Sequence, residues 1–219
     1  MANKAYTFSD FSRLIDDDFT WRKNELFLFK TRIPDDKTVS FQKPLLRAGI
    51  AILYAHWEGF VKNASTLYLQ HISFKHLKNS ELQSQFVALN LSNKIKDLEI
   101  NKLESKTKII NFLFDEYNKK SNIPFKSIIN TKSNLKFDVF VDILFTLDID
   151  SINYQANESL INDLVDLRNT IAHGEYKEID YDTYDNFYTE TTDLMRKFKT
   201  DIENAAVLQK YKKQITVTF

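Results

Sequence analysis

This chain of 219 residues has no cysteine, only three glycines and three prolines, and no long uninterrupted apolar segment. The lack of cysteine excludes a disulfide framework and thiolate coordination of a metal. Glycine and proline punctuate sheets and loops, so their scarcity argues against an all-β fold and favours long helices. No stretch reaches the roughly 18 apolar residues of a membrane span, and the N-terminus lacks the apolar core of a secretion signal. These absences predict a soluble, helical, cytoplasmic protein without a membrane partner.

Net charge is absent as well, because 30 basic side chains balance 30 acidic ones. The balance is uneven along the chain: ten lysines accompany five acids over 94–136, whereas thirteen acids accompany two basic residues over 142–193. If the protein binds RNA, the basic segment should contact the phosphates, and we expect Lys126, Lys132 and Lys136 to do so. The alternative is that these lysines form a solvated charged face.

The residues that are present can fill a large helical core, since 43% are hydrophobic and 18 are Phe. Apolar positions between 45 and 72 recur at steps of three and four residues, which predicts a long, largely buried helix. A preceding helix should run from a Ser9 cap through Phe29. We predict the remaining helices over 80–102, over 105–118, from a Ser133 or Asn134 cap to Leu147, from an Asn157 cap to Gly174, and over 181–208.

The whole chain, 1–219, is expected to form one domain, because a single core can account for this length. Residues 119–133, which include Pro124, are predicted to form a short irregular insert. The end of the chain, 214–219, is compatible with a short strand or with a disordered segment.

The amphipathic run from Leu164 to Glu175 contains a permanent cation, Arg168, five residues before a titratable imidazole, His173. A guanidinium can fork onto a phosphate and stabilise the charge of a phosphorane. An imidazole can accept the proton of an attacking 2′-hydroxyl or protonate the leaving oxygen. The pair therefore suffices to cut RNA without a metal. The alternative is that His173 merely caps carbonyl groups at the end of the helix.

The segments 167–174 (LRNTIAHG), 54–62 (YAHWEGFVK) and 132–135 (KSNL) carry a family resemblance. The first resembles the signature of HEPN-domain proteins, an all-helical family in which an Arg and a His separated by four to six residues mark the ribonuclease members. The other two resemble a MAE-like branch of that family, found near bacterial toxin–antitoxin and phage-defence genes. The resemblance is strongest over 40–180.

The resemblance implies an all-α, HEPN-like multi-helix bundle and a metal-independent endoribonuclease that cleaves by 2′-hydroxyl attack. It implies a toxin or abortive-infection effector that binds RNA and an antitoxin or defence-complex protein. Arg168, His173 and Asn169 would be its catalytic residues. The alternatives are a catalytically inactive HEPN dimer that binds a partner protein or nucleotide, and a structural subunit of a defence complex.

The spacing of Arg168 and His173 bears on the oligomeric state. Five helical residues place the two side chains about 140° apart around the axis and about 7.5 Å apart along it, so one chain forms half a cleft at best. A two-fold axis would bring two such pairs together, and the HEPN family is implied to have a composite site of this kind. We therefore expect a homodimer whose motif helices face one another.

Three further side chains have candidate roles. Glu58 lies on the apolar side of the long helix and should have a cationic partner, either at the site (Arg168 or His173) or in Lys62. Asn169 could orient Arg168 or a phosphate, or face solvent. Tyr176 follows His173 by three residues, whereas the modified tyrosine of some HEPN toxins follows by two. The alternative is that Tyr176 packs against the next helix. No spacing of His and carboxylates resembles a metal site, so neither a metal nor another cofactor is predicted.

Overall fold

The computed structural model describes residues 5–95 and 103–213, and in these ranges the chain forms seven α-helices. Their bounds are Phe8–Lys30 (α1), Gln42–Ser73 (α2), Ser84–Ile95 (α3), Leu103–Tyr117 (α4), Phe137–Thr146 (α5), Glu158–Ala172 (α6) and Tyr181–Val207 (α7). Within the same ranges, β pairing is confined to two isolated bridges. The expected all-α fold is confirmed. No helix of this part of the chain is both long and apolar enough to cross a bilayer.

Helix α1 begins two residues earlier than the Ser9 cap predicted from sequence. The Thr7 hydroxyl accepts a hydrogen bond from the Asp10 N–H at 3.0 Å, and the Asp10 carboxylate accepts the Thr7 N–H at 3.1 Å. This reciprocal capping box satisfies two backbone donors that the first turn of a helix leaves without partners. The Ser9 assignment was wrong because a better cap stands just upstream of it.

Helix α2 is the predicted long early helix, and it packs against α1, α6 and α7. Its buried Trp57 makes an edge contact with Phe140 of α5 at a centroid distance of 5.2 Å, and Phe140 in turn meets Phe198 of α7 at 5.5 Å. Gly49 permits a close approach of α7, since a Cβ atom there would lie only 2.5 Å from the ring of Tyr184. The core therefore surrounds α2.

The segment between α4 and α5 contains no helix and covers the predicted insert at 119–133. Helix α5 begins at Phe137, so Ser133 and Asn134 do not cap it as expected. Lys132 and Ser133 adopt φ values of 54° and 57°, in the left-handed region, where an N-cap residue does not lie. The loop continues through Lys136, and its polar side chains have other partners.

Helix α6 follows a short 3-10 segment, and Asn157 occupies its N-cap position without a side-chain capping bond. At the other end, Gly174 has a φ of 77°, and the Glu175 N–H donates to the Thr170 carbonyl at 3.0 Å. This is a Schellman end, which satisfies terminal carbonyls and suits glycine. The helix therefore ends at Ala172, and Gly174 terminates it, as expected.

Two predictions extend beyond the described residues. The helix predicted over 80–102 corresponds to α3, Ser84–Ile95, and its last part, 96–102, lies outside the described ranges. The tail at 214–219 lies outside them entirely. The last predicted helix corresponds to α7. Asp180 is its N-cap residue, and the Asp180 carboxylate accepts a hydrogen bond from the Thr183 N–H at 2.8 Å.

Candidate functional site

Arg168 is held between α2 and the loop that precedes α5. Its guanidinium carbon lies 4.2 Å from the centre of the Tyr54 ring. Its Nη2 group donates to the Ser133 carbonyl at 2.7 Å and to the Asn134 side-chain oxygen at 3.0 Å. Its Nε atom is buried and has no partner among the described residues. We call Tyr54, Ser133 and Asn134 the Arg168 clamp.

The clamp is itself fixed at both sides. The Leu135 N–H donates to the Tyr54 hydroxyl at 2.8 Å, which joins the loop to α2. Asn162 of α6 accepts the Phe137 N–H at 3.0 Å. Burial raises the pKa of Tyr54, and the hydrogen bond from the Leu135 N–H, a hydrogen bond with the Arg168 side chain and the charge of Arg168 oppose that rise. The hydroxyl thus stays protonated and accepts from a buried amide.

Glu58 lies one helical turn beyond Tyr54 on α2, and its charge adds to the rise of the Tyr54 pKa. The carboxylate is therefore close to the clamp. Among the described residues it forms no ion pair within 4 Å, with Arg168, His173 or Lys62. Its expected partner is not seen, and its role at the site stays a prediction.

His173 is exposed at the end of α6, and it is not one of the groups that hold Arg168. The main-chain N–H of His173 donates a hydrogen bond to the Asn169 carbonyl at 2.9 Å, in the last turn of the helix. Asn169 is half-buried. Arg168 and His173 are thus on one helix, the first packed inward and the second open to solvent, as their angular separation requires.

A second arginine, Arg47 of α2, lies beside the loop that follows His173. Its Nη2 group donates to the Glu175 carbonyl at 3.2 Å, and its guanidinium is 5.6 Å from the ring centre of Tyr176. Tyr176 is 68% exposed, so it contributes to the surface of this region rather than to the core. Arg47 could not be selected from the sequence, because its position depends on how α2 lies along α6.

The lysines expected to bind RNA have two different surroundings. Lys132 and Lys136 flank the clamp, where Lys132 lies 3.8 Å from Asp142 and Lys136 lies 3.0 Å from Asp166. Lys126 is exposed earlier in the same loop. The basic middle segment and the acidic segment therefore meet at the clamp, and two of the three lysines have acidic neighbours.

The described residues contain no group of three or more His, Asp or Glu side chains arranged to hold a metal ion. The groups available for chemistry are the guanidinium groups of Arg168 and Arg47 and the imidazole of His173. This is a donor set for a phosphate and a proton-transfer group.

The helical bundle and the Arg–His pair near the end of α6 are features of a HEPN domain. A sequence model of the RiboL-PSP-HEPN family matches residues 17–204, a range that includes α2, the clamp and α6, and the chain belongs to that family. No curated protein and no solved structure matches the sequence. Membership of the HEPN family is thus confirmed, whereas the MAE-like branch stays a prediction.

Proposed function

We propose that this HEPN domain is a metal-independent endoribonuclease. The observation that carries the proposal is the pair on α6, with Arg168 held in one orientation by its clamp and His173 open to solvent. In the reaction, the 2′-oxygen of RNA attacks the adjacent phosphorus and the bond to the 5′-oxygen breaks. His173 accepts the 2′-hydroxyl proton, and Arg168 stabilises the charge of the phosphorane. The products are a 2′,3′-cyclic phosphate and a 5′-hydroxyl.

The complete site is proposed to form in a homodimer. Arg168 packs inward and His173 faces solvent, so one chain leaves the opposite side of a cleft open. A two-fold axis that brings two α6 helices together would supply a second imidazole, which can protonate the leaving 5′-oxygen. Light scattering on the eluting protein should give twice the mass of the chain, and a monomer would contradict this arrangement.

The test is cleavage of single-stranded RNA in the presence of EDTA. We expect the wild-type protein to cut, and Arg168→Ala and His173→Asn each to lower the rate by at least about 100-fold, the usual contribution of a charge-stabilising or proton-transfer group. Arg13→Ala and His76→Asn are the matched controls, because Arg13 pairs with Asp17 on the exposed side of α1 and His76 is an exposed histidine.

Circular dichroism must show that each variant retains its helices. Full activity in both site variants would refute the assignment of these residues. A strict requirement for a divalent cation would refute the metal-independent mechanism.

A second candidate function is binding without cleavage. It is favoured by one observation, that the clamp occupies both hydrogens of Arg168 Nη2 while Nε is buried, which reduces the donors left for a phosphate. In that case the dimer would serve as a binding or regulatory module for a partner protein or nucleotide. RNA that is bound but not cut by the wild-type protein would support it.

For the cellular role we propose a single-domain, cytoplasmic toxin or phage-defence effector, of the MAE-like type, that an antitoxin or defence-complex protein restrains. Lys126, Lys132 and Lys136 would contact RNA phosphates away from the scissile bond. Induced expression should stop growth with the wild-type chain but not with His173→Asn. Equal growth of both strains would remove the toxin proposal and leave the cleavage assay unaffected.

A further inference from the structure

We propose that Asn134 and Tyr54 are positioning residues for Arg168, which fix the guanidinium so that Nη1 is the group that meets the RNA phosphate. This inference rests on the proposed ribonuclease function and names two residues that the Arg–His signature does not contain. Neither is proposed to touch the reacting atoms.

The donors of the guanidinium are divided unequally. Nη2 carries two hydrogens, and the Ser133 carbonyl and the Asn134 oxygen accept them at 2.7 and 3.0 Å. Nε carries one hydrogen and is buried without a partner in the described part of the chain. The Tyr54 hydroxyl also forms a hydrogen bond with the guanidinium. The Ser133 and Asn134 oxygens both bind Nη2, so neither of them occupies Nη1. Nη1 carries two hydrogens and therefore keeps at least one donor for an anion, and the clamp determines where that donor points.

The loop has an unusual backbone at the point where it meets Arg168. Lys132 and Ser133 are consecutive residues in the left-handed region, with φ values of 54° and 57°, although neither is glycine. Such conformations are uncommon for residues with side chains, and they persist where the surrounding structure holds them. Two local bonds hold them here: the Lys132 N–H donates to the Asn130 side chain at 2.8 Å, and the Asn134 N–H donates to the Thr131 carbonyl at 3.1 Å.

Tyr54 supports both the arginine and the loop. Its ring lies under the guanidinium at 4.2 Å, and its hydroxyl accepts the Leu135 N–H at 2.8 Å. A face-on aromatic ring attracts a cation and restricts its rotation. Tyr54 contacts the loop, the loop contacts Arg168, and Arg168 contacts Tyr54. Loss of one of these contacts should therefore loosen the other two.

The same contacts would exist if Arg168 only held the loop in place. The two roles differ in what they predict for an Asn134→Asp variant, because aspartate has the shape of asparagine and carries a negative charge. A structural role predicts an unchanged or more stable protein with unchanged activity. A positioning role predicts the same stability and slower cleavage, because the new carboxylate offsets the charge that the phosphorane requires.

The experiment compares Asn134→Asp, Asn134→Ala and Tyr54→Leu with the wild-type protein. Steady-state cleavage in EDTA gives kcat and KM, and melting gives Tm. We expect kcat to fall about 10- to 100-fold in each variant with KM within about 2-fold, the effect of a misplaced or neutralised transition-state group. Tm should stay level in Asn134→Asp. Asn111→Ala, on the exposed side of α4, is the control and should match the wild type.

A second readout does not depend on activity. The NMR signals of the Arg168 Nη hydrogens, assigned by their loss in Arg168→Lys, should show slow rotation in the wild-type protein and fast rotation in Asn134→Ala. If the wild type cuts RNA and Asn134→Ala releases the guanidinium without lowering kcat, the positioning proposal is overturned and the ribonuclease stands. If the wild type cuts no RNA, the ribonuclease proposal fails, and slow rotation then identifies the clamp as structural.

Discussion

His71 should make the stability of this protein fall in mildly acidic solution. The residue lies near the end of α2, is 1% exposed, and has its Nδ1 atom 3.3 Å from the Ala5 carbonyl. The pKa of His71 is lowered from 6.5 to about 4, mainly by burial and also by the charge of Lys75, whereas hydrogen bonds with the backbone of Ala5 and Thr7 oppose this shift. The folded protein therefore keeps a neutral imidazole at pH values where the unfolded chain binds a proton.

The sign and size of the effect follow from the two pKa values. Between pH 6.5 and about 4 the unfolded state binds more protons, so the free energy of unfolding decreases as the pH falls through this window. One pKa unit corresponds to about 1.4 kcal/mol, which gives a loss of about 2 kcal/mol between roughly pH 7 and pH 5. Burial also lowers the pKa of His56, which adds a loss of the same sign.

The measurement is urea denaturation followed by far-UV circular dichroism at several pH values and one protein concentration. His71→Gln removes the titrating group, so its stability should depend on pH less strongly than that of the wild type, by about 2 kcal/mol over the same interval. The comparison concerns the slope, so a general destabilisation by the substitution does not affect it. Parallel curves for the two proteins would refute the assignment of a neutral, buried His71.

Two further predictions concern named contacts. Gly174→Ala should destabilise the protein by about 1 kcal/mol, and Gly174→Asn should destabilise it by less. A Cβ atom at this φ of 77° meets no atom within 4 Å, so the cost is conformational. Equal urea midpoints for the wild-type protein and Gly174→Ala would contradict this. Tyr154→Phe should lower the free energy of unfolding by about 1 to 2 kcal/mol, because it removes the hydrogen bond from the hydroxyl to Asp201 at 2.6 Å. Tyr117→Phe, at a half-exposed site, is the control and should have no measurable effect. A similar loss of stability in both variants would show that the bond is not the cause.

The helices were predictable where a pattern repeats over many residues. Helix α2 has apolar residues on most of its surface, and its bounds, Gln42–Ser73, differ little from the predicted 45–72. Ends that depend on single polar residues were less predictable. Ser9 satisfies the same rule as Thr7, and only the partner side chain of Asp10 distinguishes them.

The site was predictable only in part, for a physical reason. Arg168 and His173 stand out because they are only five residues apart within one amphipathic segment, and this spacing can be read directly from the sequence. The groups that hold Arg168 are separated from it by 34 residues or more, and their approach depends on how α2 and the loop pack against α6. Tyr54 could be placed in the core by periodicity, but its contact with a guanidinium could not.

The shorter of the two hydrogen bonds from Arg168 Nη2 is accepted by the main-chain oxygen of Ser133. Replacing the Ser133 side chain leaves that oxygen in place, and glycine there would even suit the left-handed backbone. Removing one residue between 131 and 136 would instead move the oxygen away from the arginine altogether. Across related chains, we therefore expect the length of this loop to vary less than the identity of the residue at position 133.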